Sequence, residues 1–88
     1  MEFEFDPEKS QANKVKHGID FQEAKELRND PNAIESRSDY PGEERIIRIG
    51  KIGEKFWTAI FTYRSSVIRI ISVRSGRENE RKRYEDFT

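Results

Sequence analysis

Eighty-eight residues leave room for one domain with one hydrophobic core, residues 1–88. The absence of cysteine excludes a disulfide framework and any thiolate metal site. With 33% hydrophobic and 39% charged residues, the core has to come from ten aromatics and a few Ile/Val-rich runs. No run approaches the roughly 20 apolar residues of a membrane span, and the acidic start Met1–Asp6 does not read as a signal peptide, so the cytoplasm is the expected compartment. Residues 1–44 hold six Lys/Arg against twelve Asp/Glu, whereas 45–83 hold eleven against three. The basic half offers a surface suited to an anion such as nucleic acid; solvation of exposed strands and helices accounts for it equally well.

The alternation of Glu2-Phe3-Glu4-Phe5 predicts a short strand with both phenylalanines on one side. Asp6-Pro7 caps and starts a helix whose inner face is expected to be Ala12, Val15 and the stem of Lys16, and Gly18 ends it. Asp20 and Glu23 have capping-box spacing, with Ile19 placed to staple onto Ala24, and Phe21, Ala24 and Leu27 or Arg28 continue a second helix. Asn29-Asp30-Pro31 stops it. A weak strand over 33–38 precedes the Tyr40-Pro41-Gly42 turn. Strands over 44–52, 55–63 and 67–74, joined by short turns, predict an antiparallel meander. Residues 77–87 predict a very polar helix anchored by Tyr84 and Phe87. The order β-α-α-β-β-β-β-α is that of an α+β fold with helices packed on an antiparallel sheet.

Strand 67–74 is the most informative segment. Strict alternation puts Ile68, Ile70, Ser72 and Arg74 on one face and Val67, Arg69, Ile71 and Val73 on the other. Arg69 then lies between apolar neighbours and needs a partner. Pairing with Glu43 or Glu44, a place at the sheet margin, and phosphate binding all meet that need. His17, the only histidine, closes the first helix, where it serves either as a favourable C-terminal cation or as a general acid or base. Tyr63-Arg64-Ser65-Ser66 forms a hairpin tip that suits a turn as well as a ligand, and Trp57 is expected to pack in the sheet. Arg77, Arg81, Lys82 and Arg83 give the last helix a basic face suited to RNA phosphates, or to solvent alone.

Several stretches follow one another along the chain: Phe3-Glu4-Phe5-Asp6-Pro7, Lys9, Asn13, Lys16-His17-Gly18 and Phe21-Gln22-Glu23-Ala24, then Gly42-Glu43-Glu44-Arg45, Ile49-Gly50, Tyr63-Arg64, Arg69 to Arg74, Glu80-Arg81 and Tyr84. As an ordered set they resemble the BrnT toxins of type II toxin–antitoxin systems. Phe5 stands where those toxins commonly carry tryptophan. The resemblance implies a RelE-like ribonuclease fold that cuts RNA without a metal or other cofactor, by attack of the 2′-OH on the adjacent phosphate to leave a cyclic phosphate. It implies Arg64, Arg69 and Arg74 on phosphate and transition-state charge, with Ser72 orienting a phosphate oxygen. His17 or Lys16 is implied as base or acid, and Tyr84 as a further proton donor. The implied partner is a BrnA-like antitoxin with a ribbon-helix-helix domain, whose dimer holds two toxins, covers their basic face and makes the DNA contacts. A non-catalytic binding module of the same fold is the alternative.

Overall fold

In the computed structural model, which describes residues 2–87, hydrogen bonds of the capping residues fix both ends of the first helix and the start of the second. The order is β1 (Glu2–Glu4), α1 (Pro7–His17), α2 (Phe21–Ala24) running into a 3₁₀ turn (Lys25–Asn29), β2 (Ile34–Tyr40), β3 (Glu43–Ile52), β4 (Lys55–Arg64), β5 (Val67–Ser75) and α3 (Glu78–Asp86). The Asp6 carboxylate accepts the Glu8 N–H at 2.9 Å, and Gly18, at φ 83°, closes α1 by donating to the Lys14 carbonyl at 2.9 Å. Asp20 and Glu23 form the reciprocal capping box, at 2.7 and 3.0 Å.

The five strands lie in the order β1-β5-β4-β3-β2. The last four form the antiparallel meander, and β1 joins its β5 edge in parallel, Glu2 beside Val67 and Glu4 beside Arg69. The α+β class and element order agree with those expected, and they are consistent with a RelE-like fold. One face of the sheet carries Trp57, Ala59, Ile70 and Val73, against which Ile19, Phe21, Ala24 and Leu27 pack, with Phe3 and Phe5 at the margin. Phe5 meets Phe21 edge to face, at 5.7 Å between centroids. Gly50 lets β3 lie close to the chain after α2: a Cβ there would meet Leu27 Cδ2 at 3.1 Å and Asp30 Oδ2 at 3.2 Å. Arg48 supports the same corner by donating to the Leu27 carbonyl from Nε and Nη2, at 3.1 and 3.0 Å.

The inner face of α1 departs from expectation. Ala12 is exposed and Val15 is 81% exposed, while Ser10 and Asn13 are buried. The helix docks through polar groups because it meets a strand edge and a helix start, both of which present unpaired backbone atoms. Ser10 Oγ accepts the Phe21 N–H at 2.9 Å. The Asn13 amide donates to the carbonyls of Ile19 and Val73, each at 2.8 Å, and its oxygen faces the Val73 N–H at 3.4 Å. At the other end of the chain, Phe87 is 75% exposed, so Tyr84 and the buried Glu80 anchor α3 in place of the expected Tyr84–Phe87 pair.

The second departure is in β5. Ile60 pairs with Ser72 but Phe61 pairs with Ile70, so Ile71 is an extra, bulged residue. Beyond it the alternation is shifted by one. Ile68, Ile70 and Val73 face the helices together, and Arg69, Ser72 and Arg74 share the opposite face. The expected separation of Arg69 from Ser72 and Arg74 is thereby corrected.

Asn13→Ala should leave two buried carbonyls short of a donor and lower stability by about 2–4 kcal/mol. Val15→Ala should change it by no more than about 0.5 kcal/mol. Urea denaturation of the two variants checks both values.

Candidate active site on the open face of the sheet

The face opposite α1 and α2 is covered at one end only, by α3. There Tyr84 packs edge to face on Phe56, with centroids 5.1 Å apart, and Arg81 and Lys51 each lie 5.3 Å from the same ring. The rest of the face is the sheet itself. Ile47, Ile60 and Thr62 form its floor, Arg64 stands at the β4–β5 hairpin, and Arg69 and Ser72 lie along β5. Arg45, next to Ile46 in β3, is on this side as well, and its Nε donates to Glu43 at 3.0 Å.

Arg69 makes a loose ion pair with Glu4 of β1, Nη1 to Oε2 at 3.5 Å, and keeps 30% of its side chain exposed. The partner is therefore neither Glu43 nor Glu44, since Glu44 is taken by Arg37 at 3.0 Å. Arg64 is exposed and, among the described residues, makes no ion pair. Its guanidinium is thus available to an incoming anion, and that of Arg69 is held by one contact near the upper limit for an ion pair.

Arg74 is differently placed. Two of its nitrogens donate to the two oxygens of Glu80, at 2.7 and 2.8 Å. Glu80 also accepts the Arg77 N–H at 2.8 Å and the Thr58 hydroxyl at 3.0 Å, and its side chain is only 9% exposed. The Arg74 guanidinium brings the Glu80 carboxyl down to about 2 against the opposing effect of burial, helped by the Arg77 N–H and Thr58. This cluster fixes the start of α3 on the sheet. Tyr84 is likewise engaged: its hydroxyl donates to Asp30 at 2.9 Å, and burial, then the bond to Asp30, raises its pKa. Burial works to raise the Asp30 carboxyl too, but N–H groups of Lys51 and Asn32 and the Tyr84 hydroxyl outweigh it and lower the pKa.

Lys16 and His17 are not among these residues. They stand three and four positions after Asn13, on the same stripe of α1 that meets the edge of β5 at Val73. Lys16 is exposed, His17 is half-buried, and neither hydrogen-bonds to the arginines. Arg77, Lys82 and Arg83 are exposed on or beside α3, and Arg81 pairs loosely with Glu85 at 3.6 Å. Trp57 is buried, which leaves its ring no free face for a base. Glu4, Glu80 and Asp30 carry polar roles that the sequence reading did not assign. Of these, only Glu80 had a signal, its position three residues after Arg77 at a helix start.

A model of the ribonuclease toxin family BrnT, of type II toxin–antitoxin systems, matches residues 5–80. The chain belongs to this family. BrnT toxins are the ribonuclease half of a toxin–antitoxin pair, so a cognate antitoxin is a partner of this chain. The match spans Arg64, Arg69, Ser72 and Arg74 and ends at Glu80, before Arg81, Lys82, Arg83 and Tyr84. No curated protein matches the chain at a significant level. Among the described residues, no helix is long and apolar enough to cross a membrane.

The Glu80 cluster carries a pH signature. Its carboxyl titrates near the ordinary 4.5 when unfolded and about 2 when folded, so its contribution is complete above about pH 4.5 and is lost as pH falls toward 2. It amounts to on the order of 3 kcal/mol. Urea midpoints of the wild type and Glu80→Gln should differ most at pH 6 and converge as the pH approaches 2.

Proposed function

We propose that residues 1–88 act as one domain that cleaves RNA on the open face of the sheet, without a metal, by attack of the 2′-OH on the neighbouring phosphate. The reading rests on one observation: the bulge at Ile71 gathers Arg69, Ser72 and Arg74 beside Arg64 on the face that α1 and α2 leave bare. The reaction concentrates negative charge on the phosphorane oxygens, and fixed cations in a partly dry site stabilise that charge best. Arg64 and Arg69 take the phosphate oxygens, and Ser72 orients one of them. Arg74, held in a charge-neutralising pair with Glu80, positions this end of β5.

The 2′-oxygen bonds to phosphorus, the bond from phosphorus to the 5′-oxygen breaks, and the products are a cyclic phosphate and a 5′-OH end. His17 or Lys16, one turn beyond the contact of Asn13 with Val73, protonates the leaving oxygen. Tyr84, tied to Asp30, holds α3 in place, and Arg77, Arg81, Lys82 and Arg83 guide the RNA backbone. The partner is a BrnA-like ribbon-helix-helix antitoxin in a 2:2 assembly that covers the open face and contacts DNA on the toxin's behalf. The compartment is the cytoplasm.

Expression in bacteria without the antitoxin should arrest growth and degrade RNA. Arg64→Ala and Arg69→Ala should each slow cleavage by the pure protein about 100-fold or more while leaving its urea midpoint nearly unchanged. Intact RNA after incubation with the folded wild type overturns the enzymatic reading, and cleavage abolished by EDTA overturns the metal-free one.

A further inference from the structure

The reaction needs one group to accept the 2′-hydroxyl proton and another to protonate the 5′-oxygen; with Lys16 or His17 in the second role, the first is still to be filled. The open face has a carboxylate of its own. Glu4 stands on β1 directly beside Arg69, and register places both side chains on the bare side of the sheet, while Phe3 faces the helices. Its side chain is 42% exposed and sits 3.5 Å from Arg69 Nη1, so it contacts the guanidinium and is open to a ligand at once. The other carboxylates near this face are placed differently: Glu2 lies beside Val67, one pleat further from Arg69, Glu43 is bound to Arg45, and Glu80 is enclosed by Arg74, Arg77 and Thr58.

We infer that Glu4 is the general base of the reaction proposed above, on which this assignment depends. A phosphate seated on Arg69 brings its neighbouring ribose to the β1 edge. There a Glu4 oxygen takes the 2′-hydroxyl proton as the 2′-oxygen bonds to phosphorus and the 5′-oxygen leaves, protonated from the end of α1. The Glu4 carboxyl then returns its proton to solvent. Arg69 does two things in this arrangement, holding the base in place and drawing the phosphate to it. The charged groups around Glu4 are Arg69 on β5 and Glu2 on its own strand. Lys25 and Arg28 reach β1 from the opposite face, over the Phe3 ring, at 5.8 and 5.6 Å.

The ion pair alone gives Glu4 a different role, as a competitor that occupies Arg69 until RNA displaces it. The two roles have opposite kinetic consequences. With wild type, Glu4→Gln and Glu4→Asp assayed on a short single-stranded RNA, a base predicts that Glu4→Gln lowers kcat by about 100-fold or more, with KM within about threefold. It also predicts that the acidic limb of the pH–rate profile disappears in Glu4→Gln and that Glu4→Asp recovers part of the rate. Equal urea midpoints show that the variants are folded. If the wild type cleaves and Glu4→Gln cleaves as fast or faster, the assignment is overturned and the ribonuclease reading stands. If the wild type leaves RNA intact, the ribonuclease reading fails and the assignment fails with it.

Discussion

Without the additional residue that β5 carries opposite Ile60 and Phe61, strict alternation would place Arg69 on the opposite face from Ser72 and Arg74. Counting back from the buried Val73, it would turn that guanidinium toward Phe61 and the helices, where a charge has little to pair with. The bulge at Ile71 removes that conflict. It keeps Ile68, Ile70 and Val73 in one apolar layer and assigns every arginine of the strand to the other side. A single backbone irregularity thus separates the face that stabilises the fold from the face that meets a polyanion, as bulges beside functional surfaces commonly do.

The two helical layers then hold to the sheet by different means. α2 and the 3₁₀ turn are held by Phe21, Ala24 and Leu27 in the core, the ordinary apolar route. α3 has no such stripe. Its first turn is held by a carboxylate that accepts hydrogen bonds from a guanidinium, a backbone N–H and a hydroxyl, and its last turn by a phenol that reaches Asp30. A chain with so few apolar residues can attach a helix in this way only if every buried polar atom is satisfied, and among the described residues no buried side-chain nitrogen or oxygen lacks a partner.

Elements governed by near neighbours in sequence were legible from it. The Asp6 cap, the Gly18 stop, the Asp20–Glu23 box and the hairpins are set by residues two to six positions apart, and they formed as their residue types require. What escaped depends on distant partners. Nothing in the segment 7–17 indicates that Asn13 is buried and Val15 exposed, because the strand edge that Asn13 serves is sixty residues away. The bulge leaves no trace in an alternating pattern of isoleucines. The meander offers Arg69 the glutamates Glu43 and Glu44, whereas parallel pairing supplies Glu4 from the other end of the chain. The basic residues of the candidate site were therefore readable as a set, but not the side of the sheet on which they meet or the carboxylate between them.

The Asn13 clamp has a consequence for the behaviour of the protein in solution. β1 spans Glu2–Glu4, so it covers β5 as far as Arg69, and among the described residues no strand neighbours the rest of that edge. Exposed strand edges invite pairing with another chain, and a stretch as rich in β-branched residues as Val67–Val73 is well suited to fibrillar stacking. At Val73 the Asn13 amide takes up the carbonyl and faces the N–H, imitating the peptide group of a missing strand. One side chain on a helix thus occupies the backbone groups that a further strand would need at this point of the edge.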